Sequence, residues 1–230
     1  MMELIRSDLF LLTVTIGICC GCSTLYRRTR FALLHPVLLT FMAMIAFLKI
    51  FSIPYEHYRA ATEALNFALG MSVVSLGYLL YEQKEQMKGE IVPIISSILT
   101  GCIVGIISVV YIAKYMGADR MILTSIAPKS VTIPIAVAVA KPLGGEVSIT
   151  SVVVFCVGLL GNIIGFWLLN KLRITDPKAQ GLAMGSAAHG VGTARAIEHG
   201  AIEGAMSGLA MALMGVATAM ILPLVEHYLY

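Results

Sequence analysis

Long apolar runs separated by short charged loops are the feature that most restricts how this chain can fold. Runs long enough, or nearly long enough, to cross a hydrocarbon core as helices lie at residues 9–26, 31–51, 62–81, 91–113 and 147–170. Only 13% of the residues are charged, which is about half the fraction found in soluble domains. The pattern predicts an all-α polytopic protein of a lipid bilayer.

Charge and cysteine usage exclude several other classes of protein. The net charge of +3 is too small to indicate nucleic-acid binding, and the basic residues lie mostly in short loops. The five cysteines lack metal-ligand spacing to histidine, so they are interpreted as apolar packing residues, with no disulfide, metal or other cofactor indicated. Arg27, Arg28 and Arg30 follow the first run instead of preceding it. This order indicates a first span that is retained, with its N-terminus outside.

The stretch 181–208, GLAMGSAAHGVGTARAIEHGAIEGAMSG, combines small residues with ionisable ones at membrane depth. Ionisable side chains there are costly and usually face a cavity or a partner. Gly190 and Gly192 bracket a predicted helix interruption, and Thr193 is suited to cap the second half. A broken helix directs N–H groups and a positive dipole at the gap, which suits an anion. The other glycines have the spacing of packing ridges: Gly181, Gly185, Gly200, Gly204 and Gly208.

A second unusual segment, MILTSIAPKSVTIPIAVAVAKPLGG (121–145), places Lys129 between Pro128 and Pro134. Two prolines in one apolar run remove backbone donors and predict a broken helix. Lys129 is either a snorkelling charge at the membrane interface or part of a site. If the segment dips in and returns, the basic residues after residue 170 fall inside, as the positive-inside bias favours. A re-entrant fifth segment is therefore expected.

The order of the segments predicts an inverted repeat within a single membrane domain, 1–230. About seven or eight membrane segments are expected, the last of them over 204–225. Segments two to four and six to eight would cross in opposite senses, with the glycine-rich seventh segment crossing. The two halves would be 31–115 and 147–226, with the site at their interface near the midplane.

Several motifs resemble the CidB/LrgB family, which includes the plant plastid glycolate/glycerate translocator. They are PKSVTIPIA (128–136), DPKAQGLAMGSAAHGVGTARAIEHG (176–200), EGAMSGLAMALMGVATAMILP (203–223) and, more weakly, IPYEHY (53–58). The resemblance covers nearly the whole chain from about residue 31. It implies a multi-pass protein of the bacterial inner membrane, encoded beside a small holin-like membrane partner. The family is linked to murein hydrolase export and autolysis, and some members resemble carriers of glycolate, glycerate or pyruvate.

Four positions depart from the family pattern. Met71, Leu79 and Phe166 stand where the family usually has proline, and Ile133 stands where it usually has threonine. In the first half, the third segment is interrupted by Gly70 and Gly77, and its break is therefore expected to be softer. The lining near Lys129 has one hydroxyl fewer. The candidate substrate-binding residues are Lys129, Ser130, Thr132, Asn162, His189, Gly190, Gly192, Thr193, Arg195, Glu203 and Ser207.

The leading hypothesis is a secondary carrier of a small carboxylate. Arg195 would hold the carboxylate bidentately, Lys129 would add a second positive charge, and His189 would donate a hydrogen bond or carry a proton. His189 can equally be a neutral histidine whose hydrogen bonds are satisfied within the bundle. Substrate, coupling ion and oligomeric state, including a homodimer, are left open by the sequence.

A second hypothesis, from another class, is a regulator that transports nothing and binds the holin-like partner through its glycine ridges. An enzyme is not expected. An intramembrane hydrolase using Ser186 or Ser207 is disfavoured, because no carboxylate is placed to orient His189 and no nucleophile elbow is present.

Overall fold

The computed structural model describes residues 7–29, 36–65, 67, 68, 71, 78, 81 and 89–229. All regular structure in these ranges is helical. The helices with defined bounds are Asp8–Thr29 (α1), Pro36–Ile50 (α2), Tyr55–Ala61 (α3), Ile91–Tyr115 (α4), Arg120–Ile126 (α5), Ile133–Ala140 (α6), Val147–Lys171 (α7), Pro177–His199 (α8) and Ala201–Leu229 (α9). Predictions for most of the third apolar run and the loop after it lie outside the described residues, as do Arg30, Gly70, Gly77, Leu79, Lys84 and Lys88.

Residues 1–71 form one compact unit, whose described part contains α1, α2 and α3. Leu11, Ile53 and Ala61 form its buried apolar cluster. The hydroxyls of Thr15 and Tyr58 lie 3.2 Å apart and link α1 to α3. α1 is long and apolar enough to cross a membrane, as the first apolar run predicts.

Residues 72–230 form the second unit, which is built on the long apolar helices α4, α7 and α9. Together with α1, these are the helices within the described ranges that are long and apolar enough to span a bilayer. α2 is apolar but shorter, and so is α6 with the 3-10 turn that extends it to Leu143. Carboxylates cap the helix starts: Asp119 at α5 and Asp176 at α8 each accept a backbone N–H at 2.8 Å.

Two ion pairs mark the two ends of the second unit. Lys178, at the start of α8, lies 2.6 Å from Glu90, which immediately precedes α4. Arg120, at the start of α5, pairs with Glu226 near the end of α9. Ala201, the first residue of α9, lines the same surface depression as Lys178, so α9 begins at the end where α4 begins. Arg120, just after α4, pairs with Glu226 near the end of α9, and α4 and α9 therefore run in the same direction. They run from what we call the Glu90 end to the Glu226 end, and α7 runs back.

Hairpin 1 consists of α5, the break at residues 127–132, and α6 with its 3-10 extension. The backbone N–H of Glu146 donates to the Ser125 hydroxyl at 2.7 Å, although 21 residues separate them. Ser130, which lies between these two residues in the sequence, faces Gly105 in the middle of α4. The segment therefore enters and leaves at the Glu226 end. This agrees with the predicted helix break and with the predicted return of the fifth segment.

Hairpin 2 is α8, which folds back on itself at His189. The backbone there has φ 41° and ψ −134°, which separates a first arm, 177–188, from a second arm, 190–199. A Cβ placed on Gly192 would lie 2.8 Å from the carbonyl oxygen of Met184. Residues eight apart in a straight helix are separated by about 12 Å. The two arms therefore pack directly against each other.

The arms of hairpin 2 run in opposite directions along α9. The contacts that define this are Gly181 with Glu203 and Gly185 with Ser207 for the first arm, and Thr193 with Ser207 and Ile197 with Gly204 for the second. The first arm thus runs parallel to α9 and the second runs antiparallel to it. Hairpin 2 enters and leaves at the Glu90 end.

The prediction that the seventh segment crosses the membrane is therefore wrong. Its arms are about 18 Å and about 15 Å long at 1.5 Å per residue, whereas a hydrocarbon core is about 30 Å thick. The glycines that suggested a broken span instead let two short arms pack closely. As a result α9 begins at the Glu90 end, and its direction is opposite to the one assigned from the sequence.

Candidate functional site

The tips of the two hairpins lie against one face of α9. The Thr193 hydroxyl of hairpin 2 lies 3.9 Å from the sulfur of Met211. Met214 borders the break of hairpin 1, so the two tips are about one helical turn apart along α9, roughly 5 Å. The shared stripe of α9 has i, i+4, i+7, i+11 spacing and consists of Ser207, Met211, Met214 and Thr218.

Lys129 lies in the break of hairpin 1, half-buried. Its ammonium donates to the Ser130 hydroxyl at 3.1 Å, and no described carboxylate lies within 4.0 Å of it. Ser130 faces Gly105, near the middle of α4. This depth disfavours the interpretation of Lys129 as a snorkelling charge at the interface.

Thr132 begins α6 with the extended backbone of an N-cap, φ −66° and ψ 150°. Its side chain caps nothing, however, and its buried hydroxyl has no hydrogen-bond partner in the described part of the chain. The start of α6 carries the positive end of the helix dipole. The tip of hairpin 1 therefore presents an ammonium, the hydroxyls of Ser130 and Thr132, and a helix N-terminus.

His189 forms the tip of hairpin 2 and is 4% exposed. Its Nε2 lies 2.9 Å from the carbonyl oxygen of Val154, so Nε2 carries the proton and donates. The side chain thus makes a hydrogen bond within the helix bundle, as expected if His189 is a neutral histidine with a structural role. A Cβ on Gly158 would lie 2.7 Å from the imidazole, which shows that this glycine makes room for the ring.

The break of α8 lies one residue before the predicted one. Gly190 and Gly192 both belong to the second arm, and Thr193 is an interior residue of that arm rather than its N-cap. The Thr193 hydroxyl donates to the carbonyl oxygen of His189 at 2.8 Å and lies 2.9 Å from the Ser207 hydroxyl. The glycines allow the close approach of the arms instead of forming the interruption.

Asn162 projects from α7 toward the break of hairpin 2. Its side chain is 4% exposed, and Nδ2 donates to the carbonyl oxygen of Val191 at 3.3 Å. Its Oδ1 is buried and has no partner among the described residues. The preceding residue on α7, Gly161, packs against Ala188, the last residue of the first arm. Asn162 therefore lies between the two arm ends.

Arg195 and Glu203 are not brought to the hairpin tips. Arg195 lies toward the Glu90 end of the second arm and contacts Glu198 at 2.9 Å, with both side chains partly exposed. Glu203 lies 3.4 Å from His199. The His199 ring stacks on Phe166, with centroids 3.9 Å apart and planes at 1°. Phe166, which stands where the family usually has proline, thus makes an aromatic contact in this chain.

The packing interpretation of the glycine ridges is confirmed within the chain for Gly181, Gly185 and Gly204. A Cβ on Gly208 would meet no atom within 4 Å. On α4, Gly101 also faces open space, and Gly105 faces only the Ser130 hydroxyl at 3.9 Å. Gly101 and Gly105, which have the same four-residue spacing, therefore make no close helix contact within the described part of the chain.

A serine–histidine dyad is not formed at the tips. The Ser186 hydroxyl donates to the Leu182 carbonyl at 2.7 Å, and the Ser207 hydroxyl lies beside Thr193. The described hydrogen bond of the His189 ring goes to a backbone carbonyl.

The lining near hairpin 1 contains one residue that sequence reasoning missed, Thr218 of α9. The thiol of Cys102 is fully buried and lies 3.4 Å from the Thr218 hydroxyl. The signal that could have found Thr218 is its position eleven residues after Ser207, which places both residues on one face of α9. Packing accounts for Cys102, whereas Cys19, Cys20 and Cys156 are exposed.

The crevices around the described part of the second unit do not open onto the hairpin tips. The crevice beside Pro128, Ser130 and Met214 is too narrow to admit a water molecule. At the Glu90 end, a crevice of about 410 Å³ opens between α4 and the first arm of hairpin 2, with Asp176 and Lys178 among its lining residues. Its lining ends at Leu182 and Ser97, short of the tip at His189.

Comparisons with known proteins agree with these motifs. The model of the LrgB-like family matches residues 15–228. The chain is 37% identical over 217 residues to the uncharacterized protein YxaC of Bacillus subtilis strain 168, covering 94% of each chain. It is 31% identical over 201 residues to the antiholin-like protein LrgB of Bacillus cereus strain B4264, covering 87% of each chain. No solved structure matches the chain. The matches extend over both hairpins, and the chain therefore belongs to the LrgB-like family of membrane proteins.

Proposed function

We propose that this protein is a secondary carrier of a small monocarboxylate, of the glycolate, glycerate or pyruvate kind, in a bacterial inner membrane. The observation that carries the proposal is Lys129, a cation at the depth of the middle of α4 with no carboxylate partner among the described residues. A basic side chain at the centre of a membrane costs about 2.5–3.5 kcal/mol on insertion scales. A bound carboxylate offsets that cost.

The groups around Lys129 are suited to an anion of a few atoms. The unpartnered Thr132 hydroxyl can donate to a carboxylate oxygen, and the start of α6 adds the positive end of its dipole. On the hairpin 2 side, the Ser207 oxygen and Nδ1 of His189 provide acceptors for a hydroxyl of the substrate, because the donors of Thr193, Ser207 and His189 are used within the protein. Arg195, which pairs with Glu198, is left out of this proposed site.

The two hairpins also support a carrier. They enter from opposite ends and meet the same stripe of α9, which is the arrangement expected when two halves of opposite orientation enclose a site near the midplane. Each hairpin blocks the route from its own end, so displacing one of them opens the site to one side only. The predicted repeat halves, 31–115 and 147–226, leave out hairpin 1 and require α4 and α9 to run in opposite directions, which they do not. The inverted repeat proposed here instead pairs α4 and hairpin 1 with α7 and hairpin 2.

The test is uptake of radiolabelled glycolate, glycerate and pyruvate by purified protein in liposomes. Lys129→Gln removes the charge and should abolish uptake, whereas Lys129→Arg should retain part of it. Lys141→Gln is the matched control, because Lys141 belongs to the same hairpin segment but is exposed at its outer end. Uptake by Lys129→Gln at the level of the parent would contradict the proposal.

A second candidate function is a non-transporting regulator of murein hydrolase activity that acts with a small holin-like membrane protein. The name of the Bacillus cereus relative, antiholin-like protein LrgB, favours it. The glycine ridges proposed for partner binding are, however, occupied by contacts within the chain at Gly181, Gly185 and Gly204. Uptake in liposomes that contain no partner supports the carrier, and its absence together with a partner-dependent autolysis phenotype supports the regulator.

A further inference from the structure

We propose that Asn162 is a ligand of a small monovalent cation, Na⁺, bound between the two arm ends of hairpin 2. Binding of the cation is independent of the carrier hypothesis, and only its role as the coupling ion rests on the proposed function. The site lies on the hairpin 2 side, apart from Lys129.

The orientation of the Asn162 amide is set by its neighbour. Nδ2 donates to the Val191 carbonyl at 3.3 Å, and the flipped amide would place two oxygens against each other. Oδ1 is therefore the atom that is buried without a partner. A buried acceptor left unsatisfied costs about 1–3 kcal/mol, so a ligand that accepts its lone pairs stabilises the fold.

The surrounding backbone provides further oxygen atoms. The first arm ends at Ala188, beside Gly161 of α7, because the chain folds back at His189. The end of the first arm leaves its last carbonyls without intrahelical partners and carries the negative end of that arm's dipole, whereas the positive end at this break belongs to the start of the second arm. Carbonyl oxygens at such half-helix ends, together with an amide oxygen, are the ligands that broken membrane helices offer to Na⁺.

Charge selects a monovalent cation over a divalent one. The described carboxylates of this unit all lie near its two ends: Glu90, Asp119, Glu146, Asp176, Glu198, Glu203 and Glu226. Calcium and magnesium sites rely on carboxylate ligands. Around Asn162 the oxygens on offer are neutral, and neutral oxygens suit a single positive charge.

The experiment is thermal unfolding of the purified protein in detergent, with NaCl exchanged for choline chloride at constant ionic strength and with no carboxylate present. The melting temperature of the parent should rise with Na⁺ and then follow the logarithmic dependence of a single binding site. Asn162→Leu should lose this response. Asn170→Leu is the matched control, because the oxygen of Asn170, on the same helix, already accepts from Gln180 at 2.9 Å; it should retain the response.

An equal response of the parent to Na⁺ and to choline, or a Na⁺ response that persists in Asn162→Leu, overturns the proposal. If Asn162→Leu does not fold, Asn162→Gln displaces the oxygen by one methylene and should weaken Na⁺ binding about tenfold, which corresponds to about 1.4 kcal/mol; unchanged binding overturns the proposal. Glycolate titrated once in choline chloride and once in NaCl tests the carboxylate site separately, and a shift in either medium counts as glycolate binding. A glycolate shift without a Na⁺ shift removes only the cation site, and the reverse result removes only the carrier.

Discussion

The hydroxyls of Thr193 and Ser207 lie 2.9 Å apart, and both side chains are buried where hairpin 2 meets α9. Thr193 also donates to the His189 carbonyl at 2.8 Å, so Ser207 donates to Thr193. One hydrogen-bonded chain thus joins α9 to the turn of hairpin 2. The same residues provide the polar groups proposed to face the substrate.

Thr193→Val and Ser207→Ala should each destabilise the protein by about 1 kcal/mol, the usual net contribution of a buried hydrogen bond. Because the two hydroxyls share one bond, the double variant should lose less than the sum of the two single losses. Unfolding in detergent by denaturant measures all four proteins. Fully additive losses would mean that the two hydroxyls do not interact.

His189 occupies a left-handed backbone conformation at φ 41°, which costs a non-glycine residue about 1–3 kcal/mol. His189→Ala removes the ring and keeps this strain, whereas His189→Gly removes both. The glycine variant should therefore be more stable than the alanine variant by about 1 kcal/mol or more. A glycine variant that is less stable than the alanine variant would show that the backbone at 189 is not strained.

Gly185→Ala should strongly destabilise the protein. Its new Cβ would collide with the backbone carbonyl of Ser207, and a backbone atom cannot rotate away. Gly208→Ala is the matched control, because a Cβ there meets open space; it should be neutral or stabilising by up to about 1 kcal/mol through helix propensity. Size-exclusion profile and melting temperature report both variants, and equal behaviour would argue against the close contact.

The hairpin shape of α8 predicts which positions share a side of the membrane. In a background without native cysteines, single cysteines at Lys171 and Ile202 should react with an impermeant reagent from the same side. Cysteines at Tyr115 and His227 should react from the opposite side. Ile202 and Tyr115 are exposed, so labelling is feasible, and labelling of 202 together with 115 would mean that α8 crosses.

The sequence was sufficient for the parts of the fold that depend on local chemistry. Pro128 and Pro134 predicted the break of hairpin 1 because proline lacks an N–H wherever it stands. The charge distribution predicted that the fifth segment returns to the side it came from, because the span 147–170 then brings the basic residues after residue 170 to the inside, as the positive-inside bias favours. Lys129 was proposed as a candidate from the cost of a charge in an apolar run, and its role in a binding site stays a prediction.

The path of α8 could not be read in the same way. Glycines at 190 and 192 permit both a broken span and a tight hairpin, and the choice depends on what packs against them. The arm contacts of Met184 with Gly192, and those of Gly185 with Ser207, decide it. Arg195 was assigned to the tip because a break at 190–192 would have placed it in the first turn of the second half. The true turn at His189 places it deeper in the arm, beside Glu198.

The stripe of α9 from Ser207 to Thr218 receives both hairpins on a single helix face. A ligand that shifts one hairpin along this stripe therefore changes the surface on which the other rests. By thermodynamic linkage the effect is reciprocal, so a shift of hairpin 1 changes the free energy of shifting hairpin 2 by the same amount as the reverse. A substitution at Met211 or Met214 would alter that coupling in both directions by the same amount, without touching either end of the molecule.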